Sequence, residues 1–225
     1  MTLERKLNQI DRSEALRYLG CWETTPPAEL EAAAERAVGQ LFRIARPKAV
    51  WRRFRLEGMS LAGTSYELEG EDIRRHLAGC GEVILMAATM GHEVEQLLLR
   101  SQIRDLSQAL VLDCCASAAI ESVCDDLEAE LREMVEGEGN FLTGRYSPGY
   151  GDYPLSHQSA LCTLLDTQRQ TGLTLTASGL MVPRKSVTAV LGISAAPRKQ
   201  TKRSCESCNL RDTCQLRKGG RSCEN

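Results

Sequence analysis

No stretch that would carry the chain across or into a membrane is expected. Its first residues, Met1-Thr2-Leu3-Glu4-Arg5, lack the apolar core of a secretion signal, and no run of about 20 apolar residues offers a membrane span. Charge of one sign is missing too. Against 28 Lys and Arg stand 30 Asp and Glu, a net charge of −2, which recruits neither nucleic acid nor an acidic bilayer. No G-x-G-x-G follows a strand-like run, which argues against a Rossmann-type methyltransferase. No C-x3-C-x2-C occurs, which argues against the core of a radical enzyme. There is no internal repeat and no low-complexity tract. What is there is an ordinary globular composition, 42% hydrophobic and 26% charged over 225 residues. That suits one large domain or a domain with an appendage, and a cytoplasmic protein is expected.

Ten cysteines would read as a disulfide scaffold in a short secreted chain, but no secretion signal is present. Cys21, Cys80, Cys114, Cys115, Cys124 and Cys162 are scattered among apolar neighbours and read as small packing residues. The Cys114-Cys115 pair falls mid-helix, where adjacent side chains diverge by about 100°, so packing is expected there as well. The other four crowd the last 21 residues as Cys205-x2-Cys208-x5-Cys214-x8-Cys223. Four thiolates can hold tetrahedral zinc or an iron–sulfur cluster. The spacing favours a [4Fe-4S] cluster, with zinc the alternative and a free redox dithiol third. This tail is also basic: Arg198, Lys199, Lys202, Arg203, Arg211, Arg217, Lys218 and Arg221 face only Glu206, Asp212 and Glu224. Such a tail suits phosphates, an acidic protein such as a flavodoxin, or plain solvation; nucleic acid is not the expected partner.

Hydrophobic periodicity organises the rest. Asp11-Arg12-Ser13-Glu14 caps a helix that Gly20 ends. Leu30, Ala34, Ala37, Leu41 and Ile44 form an amphipathic stripe stopped by Pro47. Phe54 and Leu56 alternate with charged residues as a half-exposed strand, and a short strand is expected near Thr64–Leu68. Glu71–Ala78 reads as a brief helix, Val83–Ala88 as a buried central strand, and Leu106–Met134 as a long helix, with a possible break. Pro154–Thr171 reads as one helix, with proline near its first position and Gly172 at its end. Leu173–Thr176 and Ser186–Ser194 are strands, the latter alternating Val187, Ala189, Leu191 and Ile193 onto one face. Helices and strands without a regular βα alternation predict an α+β fold. The expected organisation is a domain over 1–195, a linker over 196–204 and a metal-binding tail over 205–225.

The most informative stretch is Arg145-Tyr146-Ser147-Pro148-Gly149-Tyr150-Gly151-Asp152-Tyr153-Pro154. Pro148-Gly149 suits a type II turn, with proline presetting φ and glycine supplying φ > 0. Such a turn exposes backbone N–H groups beside Arg145, whose planar fork pairs with a carboxylate or phosphate. Tyr146, Tyr150 and Tyr153 can stack on a flat or cationic ligand. The residues alone leave two readings open: a small-molecule site, or a structural turn whose arginine caps a helix. Glu121, with Asp125, Asp126 and Glu128 nearby, reads as a solvated or ion-paired side chain, and His157 as a surface or capping residue.

Together with Leu180–Val187 (LMVPRKSV), Asp11–Gly20 (DRSEALRYLG), His76–Cys80 (HLAGC) and Ala87–Gly91 (AATMG), this loop resembles the activation domain of cobalamin-dependent methionine synthase. The resemblance spans roughly residues 10–195 and is nearest to stand-alone proteins that accompany methionine synthases lacking that domain. It implies a single domain with a curved, mainly antiparallel sheet and flanking helices. It further implies that the loop binds S-adenosylmethionine: Arg145 holds the carboxylate, Ser147 and Gly149 offer backbone, and Tyr150 lies against the ligand. Glu121 falls where the large enzymes have a glutamate. The implied activity is reductive methylation of cob(II)alamin carried by a partner, either such a methionine synthase or another corrinoid protein. The sequence does not say whether turnover occurs on this chain alone. His76-x-x-Gly79 gives half of a cobalamin-ligand motif, but Arg74 stands where an aspartate is needed, so the chain is not expected to carry cobalamin. Aromatic ligand contacts near the C-terminus and an N-terminal aspartate contact of the large enzymes have no match. Another class of reading is a non-catalytic sensor of S-adenosylmethionine or a corrinoid with a zinc-type nucleic-acid-binding tail.

Overall fold

The computed structural model describes residues 2–21 and 25–197, so the Cys205, Cys208, Cys214 and Cys223 set lies outside the described residues. Within them the fold is α+β. The long strands β2 (Lys48–Glu57), β4 (Cys80–Thr89) and β8 (Ser186–Ser194) form its centre. With the short strands β1 (Thr2–Glu4) and β5 (Phe141–Leu142) they give the antiparallel order β1-β2-β4-β8-β5, while β3 (Ser60–Leu61) pairs with β2. The hairpin of β6 (Thr174–Leu175) and β7 (Met181–Val182) stands apart.

Strand β4 is buried on both faces, which explains its continuous apolar run. Ile84, Met86 and Ala88 point into one core, packed under α1 (Arg12–Tyr18), α2 (Ala28–Ile44), α4 (His92–Arg104) and α5 (Leu106–Gly137). Val83, Leu85 and Ala87 point into the other, with Phe54, Ile73, Leu161 and Tyr153 beneath α3 (Glu71–His76), α6 (His157–Leu165) and α7 (Thr167–Thr171). Alternation along β8 places Ala189, Leu191 and Ile193 in the first core with Val187 against it, as its period of two predicts. Opposite Val83, Gly192 has no room for a side chain, because a Cβ there would lie 2.5 Å from Cys80 Sγ and 2.9 Å from Leu77 Cδ2.

Helix α5 runs unbroken for 32 residues, about 48 Å at 1.5 Å per residue. Asp105 caps it, accepting from the N–H groups of Ser107 and Gln108. It is long and apolar enough to cross a membrane, yet most of its apolar stretch is buried in the protein. Cys114, Cys115 and Cys124 are buried within it, and burial pushes the Cys115 thiol up to about 11; these are packing residues, as expected.

Three expectations change. The stretch expected as a strand near Thr64–Leu68 is a turn in which the Thr64 hydroxyl donates to Leu61 O and accepts from Tyr66 N–H; only Glu67 bridges to Ser60. The single helix expected over Pro154–Thr171 begins at His157 and breaks at Asp166, whose φ of 49° is left-handed. Residues 154–156 stay in the turn that follows Tyr153, which is drawn into the core. His157 is buried rather than superficial, for the reason given below.

Candidate functional site

The predicted turn is present and is held from several sides. Tyr150 N–H donates to Ser147 O at 3.2 Å, and Gly149 takes φ +91°, the value a type II turn needs at that position. Ahead of the turn, Tyr146 exchanges two backbone hydrogen bonds with Val190, both 2.9 Å, continuing the sheet beyond β5. Behind it, the Asp152 carboxylate accepts from Glu71 N–H at 2.8 Å and Asp72 N–H at 2.9 Å. Those two backbone donors hold the Asp152 carboxyl below its ordinary value. Gly70 is required there, because a Cβ would meet Asp152 Oδ1 at 2.8 Å and φ is 125°.

Beneath the turn, Tyr153 is 1% exposed. Its hydroxyl pairs with that of Tyr66 at 2.7 Å, and Tyr66 pairs in turn with His157 Nδ1 at 2.9 Å. Burial pushes the Tyr66 phenol up to about 12 and the Tyr153 phenol higher still. Tyr153 is therefore a support and not a ligand wall. Tyr146 is half-buried, its ring 5.0 Å from that of His76. Of the three tyrosines only Tyr150, 61% exposed, offers its ring outward. The N–H groups of Gly149 and Tyr150, expected to face a ligand, are bonded within the loop to Tyr153 O and Ser147 O.

Arg145 reaches from the loop to one face of α5. Its guanidinium contacts Glu121 at 3.2 Å, Asp125 at 2.7 Å and Glu128 at 3.0 Å. Positions 121, 125 and 128 are spaced four and three apart, so they share a helix face, and this is the signal that could have found the trio. Asp126 points elsewhere and accepts from Asn8. Arg132 joins the group, donating to Glu128 at 2.8 Å and to Leu142 O at 2.7 Å. Burial pulls the Arg145 guanidinium down, but its net displacement is upward. Cys124 lies nearby, and burial pushes its thiol up to about 12, which leaves it neutral; the upward pull therefore comes from the carboxylates. Glu121 and Arg145, singled out separately in the sequence, are thus brought together.

The family described as vitamin B12 dependent methionine synthase, activation domain, matches residues 82–215, from β4 through the Arg145 loop. The chain belongs to this family. Among solved structures, the crystal structure of the MetH reactivation domain bound to AdoHcy matches at a TM-score of 0.67 and 15% identity, covering 99% of this chain and 86% of that one. That likeness is one of fold. No curated protein matches the chain.

Within this activation domain the loop has further supports that sequence reasoning did not find. His76 Nε2 lies 3.0 Å from Gly144 O and from Thr143 Oγ1, so the residues just before Arg145 rest on α3. The stretch Leu180–Val187 is a brace: Arg184 pairs with the buried Glu95 of α4 at 2.8 Å, and Lys185 with Asp113 of α5 at 2.9 Å. Two concavities lie away from the loop, one of about 200 Å³ between α2, α4 and α5 and one of about 280 Å³ between α4 and the end of α2. The Arg145 cluster lies at the surface, the side chains of Glu121 and Asp125 being 44% and 65% exposed. Among the described residues no group of His, Cys, Asp and Glu is placed to hold a metal ion.

Proposed function

We propose that this chain restores activity to a cobalamin-dependent methionine synthase, or another corrinoid protein, by reductive methylation of its cob(II)alamin with S-adenosylmethionine. The observation that carries the reading is the Arg145 cluster, with the outward ring of Tyr150 five residues on in the same loop. S-adenosylmethionine carries a carboxylate, an ammonium and a sulfonium, one net positive charge. Around Arg145 the carboxylates of Glu121, Asp125 and Glu128 face the guanidinium groups of Arg145 and Arg132, one net negative charge. The MetH structure of the same fold was solved with AdoHcy, the demethylated and neutral product, which this cluster attracts less.

The residues fit the ligand's amino-acid end. Arg145 uses three of its donors on the carboxylates, and a guanidinium has five. The ligand carboxylate takes the remaining donors or displaces Asp125, whose side chain is 65% exposed. In this reading Glu121, at the longest of the three contacts, takes the ammonium, and the exposed ring of Tyr150 meets the sulfonium. Bound donor supplies a methyl on positive sulfur. The C–S bond breaks with its pair returning to sulfur, and the partner's cobalt, reduced by one electron from a separate donor, provides the pair for the new bond. The protein's part is position and charge.

The electron source in this reading is a flavodoxin or a [4Fe-4S] cluster on Cys205, Cys208, Cys214 and Cys223, with zinc the alternative occupant; the support is their spacing. Iron and sulfide in equal amounts in anaerobically purified protein support the cluster, and zinc without sulfide replaces it. The main test is Arg145→Ala. A charge-assisted bidentate contact contributes roughly 1.5–3 kcal/mol, so calorimetry should show S-adenosylmethionine affinity lower by one to two orders of magnitude. Unchanged affinity removes Arg145 from the site.

A further inference from the structure

Helices α2 and α4 both pack on α5 and only slightly on each other, which leaves a groove between them. Its two concavities share Arg100. The groove follows α2 from Ala33 to Ile44, about 16 Å at 1.5 Å per residue, the length of three helical turns. Small and apolar side chains, Ala33, Ala37, Leu97 and Val111, make its floor. Arginines line both sides: Arg36 and Arg43 from α2 with Arg46 just beyond its end, Arg100 and Arg104 from α4.

These arginines have little acidic company. Among the described residues Arg36, Arg43, Arg100 and Arg104 make no side-chain hydrogen bond or ion pair, and Arg46 donates only to the backbone carbonyls of Arg43 and Ala45. Arg43 and Arg104 sit in the last turns of α2 and α4, where the helix dipole accounts for them. Arg36 and Arg100 lie further from those ends and have no such explanation. The acids lining the groove are Glu93 and Asp105, and Asp105 is occupied capping α5.

We propose that this groove receives an acidic amphipathic helix from a partner protein. Alanines at 33 and 37 let a helix backbone approach closely, and the two rows of guanidinium groups meet carboxylates flanking its apolar stripe. Charge excludes the chain's own tail, in which eight Lys and Arg over 198–221 oppose two acids. A small anion engages one end of the groove and leaves the other arginines unmatched. The inference does not rest on the Arg145 reading, since the groove is a different surface.

The probe is a fluorescein-labelled 18-residue helical peptide with leucines at i, i+3, i+4 and i+7 flanked by glutamates. Fluorescence anisotropy on the full chain should show saturable binding that weakens with salt. The double variant Arg36→Glu with Arg100→Glu should weaken it at least tenfold, while S-adenosylmethionine binding and the melting transition stay unchanged. A lysine-for-glutamate peptide should not bind, and a serine-for-leucine peptide should bind at least tenfold more weakly. Equal binding of either control peptide overturns the proposal, as does an unaffected double variant. Full displacement by tripolyphosphate at equal concentration overturns it in favour of a small-anion site. Light scattering that shows a dimer of the chain, abolished by the double variant, overturns it in favour of a second copy.

Discussion

Arg145 and the arginines of the α2–α4 groove show what surroundings do to one side chain. Arg145 is 18% exposed at its side chain, reaches three carboxylates and rises from a loop tied to α3, to β8 and to the core. The groove arginines stand in solvent, four of the five on regular helices, and among the described residues none forms an ion pair. The first is fixed in direction before any ligand arrives; the others acquire a direction only from what docks on them. A fixed cation selects a small ligand by geometry, whereas loose cations add attraction over a broad face.

The contrast breaks most sharply if the loop's support is removed. Tyr153→Ala should destabilise the fold by about 3–5 kcal/mol, the usual cost of truncating a buried aromatic, measured by urea unfolding. Tyr153→Phe, which loses only the hydroxyl pair with Tyr66, should cost about 1 kcal/mol. A Tyr153→Ala protein of wild-type stability would show that the loop is not anchored there. Arg145→Ala should lower stability by about 1–2 kcal/mol, because Glu121, Asp125 and Glu128 then repel one another with no cation between them. Arg100→Ala should stay within about 0.5 kcal/mol of wild type. Equal losses in those two variants would erase the distinction between the two regions.

A smaller effect sharpens it. Gly149→Ala, at φ +91° and with Leu155 Cδ1 3.4 Å from the new Cβ, should cost about 1 kcal/mol through backbone strain. It should weaken S-adenosylmethionine binding without touching peptide binding in the groove. The smallest is a pH effect. Because backbone donors depress the folded-state Asp152 carboxyl below 3.8, its contribution is present above that value and is lost as pH falls through the lower folded one. Hydrogen exchange of the loop amides, compared between wild type and Asp152→Asn, should show the difference above 3.8 and lose it at lower pH.

Local chemistry was the legible part. Pro148-Gly149 predicts its turn because the φ values are written into two adjacent residues. The run Val83–Ala88 predicts a central strand, and the alternation at Val187–Ile193 predicts the face of β8. What stayed hidden depends on residues far apart in the chain. Nothing near His157 announces that Tyr66, 91 positions earlier, will pull its ring into the core. Strands β1 and β5 are too short for a period to show, and partners distant in sequence define them. At the site, Arg145 and Glu121 could be named, and Glu121 with its acidic neighbours read as solvated or ion-paired; the cation that Glu121, Asp125 and Glu128 meet was set only by where the loop brings Arg145.

Helix α5 passes from the groove floor at Val111 and Leu112 to the Arg145 cluster at Glu121–Glu128 without a kink, glycine or proline inside that interval. It therefore works as a ruler. Anything seated beside its first turns lies a constant span, on the order of 20 Å, from anything gripped by its acidic face. Two guests on this protein would meet at an interval cut into a single rod, with no hinge to adjust it.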